Sequence, residues 1–314
     1  MISTSRTFLL TTSLLLILSL LSYPVLTLNL SIINKSTAKQ SSTDLTYCSF
    51  NVQVFGQKKM QNNQVVDVLL KILSQCDLTL IMEIRDASGE AIKELLQLLN
   101  ESKNSAGRKF QISLSLRLGR TSSKEQYGYI YDSDKVHINS TYQYPEDFDQ
   151  FERPPYSVLV LPSNSTRSIS LPNVASKNAL FVSGIHTSPK AAVQEIDALY
   201  DVYEYYYRKN RIINSNIPWL LSGDFNAGCS YVKESDWKGI RLRTDSTFKW
   251  LIKDDQGTMV KTKCPYDRFV IAGSIDYEKV QVVNFKEEYG LTQALAEAVS
   301  DHFPIRMTIK NWLK

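Results

Sequence analysis

Two hydrophobic rhythms run along the chain, and their order sets the first expectation. TYCSFNVQV (46–54) alternates apolar and polar positions with the period of two that marks a strand. VVDVLLKILSQC (65–76) instead places apolar residues at i, i+3 and i+4, the spacing of an amphipathic helix. DLTLIMEI (77–84) is a short apolar run bounded by polar residues and reads as a buried strand. GEAIKELLQLLN (89–100) returns to the helical period, and QISLSL, YGYIY, KVHI, YSVLVL and ALFVSGIH follow between 111 and 186 as successive strands. Pro189 after Ser188 opens a long helix to about Lys209, with Val193, Ile196, Leu199 and Tyr203 as its apolar stripe. IPWLLSGDF (217–225), STFKWLI (246–252), DRFVIAG (267–273) and FPIRMTI (303–309) complete the strands. No repeat or linker interrupts 45–314, so the pattern predicts one α/β domain with sheets packed between helices and leaves its topology open.

The N-terminal segment departs from this pattern. Arg6 precedes LLLILSLL (14–21), which is shorter than the roughly 20 apolar residues of a membrane span. Residues 1–28 therefore read as a secretory signal peptide, and the Ser/Thr-rich stretch 29–44 as a flexible leader. The remainder is expected to be secreted, with no stable membrane association. Asn-X-Ser/Thr sequons at Asn29, Asn34, Asn100, Asn139 and Asn164 agree with export, where such sites carry sugar. Cys48, Cys76, Cys229 and Cys264 can form two disulfides there, in any of three connectivities. They form no CxxC pair and no Cys/His cluster with zinc spacing, so a zinc enzyme is not expected. The composition, 43% hydrophobic and 22% charged, is that of a globular chain. A net charge of +4, of which the signal carries only Arg6, does not by itself imply a polyanionic partner.

Candidate chemistry gathers at the ends of the expected strands, where loops display functional groups on a rigid scaffold. Asn51 follows TYCSF, Glu83 follows DLTLIM, His186 ends FVSGI, and Asp224 and Asn226 follow PWLLSG, with Asp301 and His302 ahead of the last strand. The chain has three histidines, and two fall in this set. Carboxylates of this kind hold magnesium, leaving part of its shell to water and phosphate. The cation neutralises charge on a scissile phosphate, while one imidazole takes a proton from water and another gives one to the leaving oxygen. Neighbouring carboxylates orient both rings and favour their charged forms.

SGDFNAGCSYV (222–232), EIDALYDVY (195–203), IRLRTDSTFKWLI (240–252), EEYGL (287–291) and SDHFPI (300–305) together resemble the deoxyribonuclease I family over about Cys48 to Lys310. CSFNV (48–52), LIMEIRD (80–86) and Cys76 are similar to its gamma type, without the basic tail of that type. The resemblance implies a four-layer α/β/β/α sandwich of the endonuclease/exonuclease/phosphatase type, with its site at one edge of the two sheets. It assigns His186 and Glu125 as one catalytic pair and His302 and Asp267 as the other, with His302 favoured as base and His186 as acid. It assigns Glu83, Asn51 and Asp301 to the metal, Asp224, Asn226 and Arg153 to phosphate, and Arg85 to the DNA minor groove. It pairs Cys229 with Cys264, leaving Cys48 with Cys76.

The implied activity is a magnesium-dependent endodeoxyribonuclease, with calcium or manganese as alternative ions, cutting double-stranded DNA to 5′-phosphate ends with little sequence preference, as a monomer. An arginine in the minor groove reads width more than sequence. Two departures stand out: Thr121 and Ser123 replace an asparagine and a groove-stacking tyrosine, and Pro154 follows Arg153 where the family has glutamate. The loop 253–263, which holds calcium in the family, is one residue short, and the actin-contact positions are not recognisable around Ile112 and Leu114, so no actin inhibition is expected. Two rival readings are a phosphodiesterase acting on a lipid or inositol phosphate, and a secreted DNA-binding protein that has lost turnover.

Overall fold

The period-two segments become strands whose alternate residues enter two different cores. The computed structural model describes residues 43–165 and 178–314. The expected signal peptide, the leader up to residue 42 and the sequons Asn29 and Asn34 lie outside the described residues. One six-stranded sheet contains β1 (Leu45–Phe55), β2 (Leu78–Ile84), β3 (Phe110–Leu114), β4 (Gln126–Asp132), β11 (Tyr277–Val282) and β12 (Ile305–Ile309), in the order β11-β12-β1-β2-β4-β3. The other contains β5 (Val136–Gln143), β6 (Tyr156–Pro162), β7 (Leu180–His186), β8 (Trp219–Asp224), β9 (Phe248–Trp250) and β10 (Asp267–Ala272), in the order β5-β6-β7-β8-β10-β9. Parallel pairing of β1 with β2 and of β7 with β8 requires crossovers, and helices supply them.

Between the sheets, Tyr47, Leu80 and Met82 of the first meet Val158, Val182, Leu220 and Phe269 of the second. The intervening residues point outward: Phe50 and Ile81 pack under helices Asn63–Leu73, Glu90–Glu101 and Gln293–Val299. Phe181, Trp219 and Leu221 pack under helix Ala192–Tyr203. The result is four layers, α/β/β/α, in one domain. Truncating a fully buried residue such as Leu221 to alanine is expected to cost about 2 to 5 kcal/mol. Helix Asn63–Leu73 starts where the Asn62 side chain accepts from the Gln64 and Val65 amides, capping otherwise unpaired donors.

The long helix begins at Pro189 as expected but widens to a π-helix over Glu204–Lys209. Strand β11 and helix Gln293–Val299 have no counterpart in the sequence reading. β11 is a sheet edge whose residues are half-buried or exposed, so no apolar run marks it, and a seven-residue helix is too short to establish a period. Among the described residues, no helix is long and apolar enough to cross a membrane. Both disulfides take the connectivity implied by the resemblance: Cys48–Cys76 ties β1 to the segment before β2, and Cys229–Cys264 joins the segments after β8 and before β10.

Candidate active site

Three strand ends of the second sheet meet at one rim. Asp224, the last residue of β8, is in register with His186 at the end of β7 and with Asp267 at the start of β10. Gly223 makes the first pairing possible: its φ is +141°, and a Cβ there would lie 1.9 Å from the Ile185 carbonyl oxygen, so only glycine lets β8 approach β7 this closely. The first sheet meets this rim through Asn51 and Glu83. The registers of β1 with β2 and of β2 with β4 both shift there, and Glu83 takes a left-handed φ of +61°, a strained conformation of the kind that collects at functional sites. The Glu83 carboxylate accepts from Asn51 Nδ2 at 3.1 Å and from the Val54 amide at 2.8 Å. Asn51 Nδ2 also lies 3.1 Å from Asp224 Oδ2, linking the two sheets.

Two imidazole arms converge on that same oxygen. His186 Nδ1 is 2.6 Å from Glu125 Oε1 and its Nε2 is 3.5 Å from Asp224 Oδ2. His302 Nδ1 is 2.8 Å from Asp267 Oδ2 and its Nε2 is 3.4 Å from Asp224 Oδ2. In each arm a carboxylate fixes the ring and leaves Nε2 facing the shared centre. Burial and Arg153 pull the His186 pKa down, but Glu125 and Asp224 outweigh them and the net shift is upward. Burial also opposes the His302 charge, yet Asp267 and Asp224 lift that imidazole to about 10. Glu125, despite a burial that favours its neutral form, is held below the ordinary carboxylate value by His186, Arg153 and Arg85.

The remaining expected residues stand close by. Asn226 donates its backbone N–H to Asp224 Oδ1 at 2.9 Å and its side-chain N–H to the Thr187 carbonyl at 3.0 Å. Arg153 lies 3.1 Å from Glu125 Oε1 and donates to the His186 and Thr187 carbonyls, at 2.9 and 3.0 Å, so much of its guanidinium serves the His186 arm. Arg85, about one-third exposed, sits 3.1 Å from Glu83 Oε2 and 3.6 Å from Glu125 Oε2. Asp301, 3.9 Å from His302 Nε2, keeps Oδ1 buried and without a hydrogen-bond partner, and burial raises its pKa.

The donor chemistry fits a hard divalent cation. Asp224, Asp267 and His302 present ligand atoms within 4.8 Å of one another, and Asp267 Oδ1 shares the unpartnered state of Asp301 Oδ1. Of this group, the resemblance assigned none to the metal. Its own set, Asn51, Glu83 and Asp301, lines the adjoining wall, where the Glu83 charge adds to the burial that raises the Asp301 pKa, and both carboxylates partly offset the burial that lowers the Lys59 pKa.

Several supporting residues were not anticipated. Tyr127 accepts the His186 amide at 2.9 Å and donates to the Arg153 carbonyl at 3.1 Å, yet within YGYIY it reads only as strand packing. Glu195 receives the Glu152 and Ser188 amides, both at 3.0 Å, fixing the loops on either side of the His186 arm. Ser300 donates to the Asn51 carbonyl at 2.7 Å and accepts the His302 amide at 3.1 Å; its place beside Asp301 and His302 was the available signal. Lys59 donates to the Ala298 and Val299 carbonyls, and burial lowers its pKa to about 8. Nothing in GQKKM marks that role.

Comparison with known proteins shows the family to which this fold belongs. The model of the endonuclease/exonuclease/phosphatase family matches residues 48–302. Deoxyribonuclease gamma of Rattus norvegicus is 37% identical over 285 residues, covering 87% of each chain. Deoxyribonuclease-1-like 2 of Mus musculus is 40% identical over 276 residues, covering 86% of this chain and 93% of that one. Deoxyribonuclease-1 of Bos taurus is 37% identical over 281 residues, covering 86% and 94%. Among solved structures, D. rerio TDP2 complexed with a single-strand DNA product superposes with a TM-score of 0.57 at 13% identity, covering 85% of this chain and 99% of that one, which concerns the fold alone. The chain belongs to the endonuclease/exonuclease/phosphatase family and, within it, to the deoxyribonuclease I family.

Proposed function

We propose that the protein is a secreted, divalent-metal-dependent endodeoxyribonuclease that hydrolyses phosphodiester bonds of double-stranded DNA with little sequence preference and leaves 5′-phosphate ends. The observation that carries the reading is the convergence of both imidazole Nε2 atoms on Asp224 Oδ2, at 3.5 and 3.4 Å. Names of relatives sharing 36–40% identity over most of the chain supply the substrate class. In this reading a scissile phosphate lies over Asp224 and Asn226, between the two rings. Glu125 and Asp267 hold His186 and His302 so that one Nε2 withdraws a proton from the attacking water and the other supplies one to the leaving oxygen. The arrangement is nearly symmetric, and the assignment of His302 as base and His186 as acid is part of the proposal.

A divalent ion, magnesium foremost with calcium or manganese as alternatives, is proposed to be held by Glu83, Asn51 and Asp301, with Asp224 and Asp267 adjoining. When bound it neutralises charge developing on the phosphate. Arg153 is proposed to add positive charge beneath the phosphate, and Arg85 to enter the minor groove, where readout is nearly blind to sequence. Export rests on the signal-like 1–28 and is supported by the two disulfides, which persist in oxidising compartments. The test is incubation of the purified protein with supercoiled plasmid and magnesium. Nicking that EDTA abolishes is the expected result; intact plasmid at high protein concentration, or cleavage indifferent to EDTA, rejects the reading.

A further inference from the structure

Beside the His302 arm lies a buried cation that the proposed chemistry does not use. Arg268 follows Asp267 on β10, and its side chain is 0% exposed. Its Nη1 donates to the Ile252 carbonyl at 2.8 Å and lies 2.9 Å from Asp254 Oδ1, while Nη2 donates to the Ala227 carbonyl at 2.7 Å. The guanidinium carbon stands 5.6 Å from the Trp250 ring centre. The other oxygen of Asp254 receives Arg243 Nη2 at 2.6 Å, and the Arg243 guanidinium packs on Trp237 and Trp250, at 5.1 and 5.0 Å.

Arg268 and these partners lie on three segments, two of which carry residues of the site. Ala227 follows Asn226 and precedes the Cys229–Cys264 bridge, Ile252 and Asp254 follow β9, and Arg268 itself continues from Asp267. A buried guanidinium is a poor stabiliser compared with an apolar side chain of the same volume, and here Nε has no hydrogen-bond partner at all. What a guanidinium adds is a planar fork with fixed donor directions, which lysine lacks.

We propose that Arg268 is a positioning residue: its fork registers the segment carrying Asp224 and Asn226 against Asp267, and so holds the His302 ring at its distance from Asp224. The inference rests on the hydrolytic reading of this site. The test compares Arg268→Met, Arg268→Lys and Asp254→Asn, the last at a half-exposed position where the fold is under less demand. Arg268→Met is expected to lower kcat roughly 10- to 100-fold per folded molecule with KM little changed, as displacements of about 1 Å do. Arg268→Lys, which keeps charge without the fork, should recover little of the loss, and Asp254→Asn should show a smaller drop in the same sense.

A readout independent of turnover is the imidazole nitrogen resonances of the metal-free protein at one pH. Those of His302 should move in all three variants while those of His186 stay. Wild-type kcat with unmoved His302 resonances in folded Arg268→Met overturns the proposal. If that variant does not fold, the same result in Asp254→Asn overturns it. Should the wild-type protein itself cut no DNA, the functional reading fails, and the resonances still decide the positioning.

Discussion

The two imidazole arms are matched in geometry and opposed in electrostatics. Both rings bond a buried carboxylate through Nδ1 and present Nε2 to one Asp224 oxygen. The Glu125 carboxylate of the first arm is shared with Arg153 and Arg85, whereas among the described residues no guanidinium pairs with Asp267, and Asp301 adds a further negative charge near His302. The carboxylate of one arm is thus paired with guanidinium groups, while that of the other is not, because the neighbouring Arg268 turns its fork to Asp254 and to backbone carbonyls. On the function proposed above, a divalent cation would suit the side on which Asp267 and Asp301 have, among the described residues, no guanidinium partner, that of His302.

The largest test of this pairing is removal of each ring. His302→Ala and His186→Ala are each expected to lower kcat by about 100- to 10,000-fold, the range of general acid and base contributions, with DNA affinity retained. Plasmid nicking together with a DNA-binding measurement checks both, and wild-type turnover in either variant would break the comparison. Next in size are the bridges. Loss of the Cys229–Cys264 or the Cys48–Cys76 link, which close segments of 35 and 28 residues, should cost on the order of 3 to 5 kcal/mol by chain entropy. Only the first borders the His302 arm. The Cys229→Ser/Cys264→Ser pair should therefore also lower kcat below its melting transition, while Cys48→Ser/Cys76→Ser should lower stability alone. Thermal unfolding and kcat measured on the same samples separate the two.

What was legible in the sequence divides along the same lines. Strand ends were readable because burial on both faces writes a dense apolar run, as in LFVSGIH and WLLSGD, and the residue that ends the run is the one displayed. His186, Asp224 and Glu83 were visible in this way, and His302 as a residue just ahead of the last strand. Glu125 and Asp267 were reached only through resemblance: the first follows a polar loop, the second opens a strand, and neither position announces a partner 61 or 35 residues away. Tyr127, Glu195 and Arg268 were missed because each acts through backbone carbonyls or amides of distant segments. That relationship exists only after folding and leaves no spacing to detect. The same holds for β11, whose edge position removes the burial that makes a strand conspicuous.

A titration sharpens the electrostatic half of the comparison. In metal-free protein the His302 pKa stands at about 10, above the 6.5 of an unstrained imidazole. The stabilisation from its protonated form is fully present below pH 6.5 and is lost as pH rises through about 10. Unfolding free energy measured in EDTA should therefore decline over that window, and His302→Ala should flatten the decline. Magnesium should lower the His302 pKa by offsetting the surrounding carboxylates, which is also what service as a base near neutral pH demands. A flat stability profile in EDTA, or a His302 titration near its ordinary value without metal, would remove the contrast between the arms.

The smallest expected effect lies on the His186 side, outside the chemistry. Ser123 replaces the groove-stacking tyrosine implied by the family pattern, and its hydroxyl accepts only a long 3.4 Å bond from Arg85 Nη1. Replacing it should therefore sacrifice little inside the protein, while an aromatic ring there gains a face for a base, worth about 1 to 3 kcal/mol where stacking occurs. Ser123→Tyr is expected to lower KM for duplex DNA with kcat nearly unchanged, because the ring would contact DNA equally before and during bond cleavage. The change should appear on DNA long enough to span Arg85 and vanish on a dinucleotide diester that reaches only the two histidines. An identical KM on long DNA would mean that the loop carrying Ser123 stands clear of the substrate, and the arginine-rich arm would then differ from its partner in proton affinity alone.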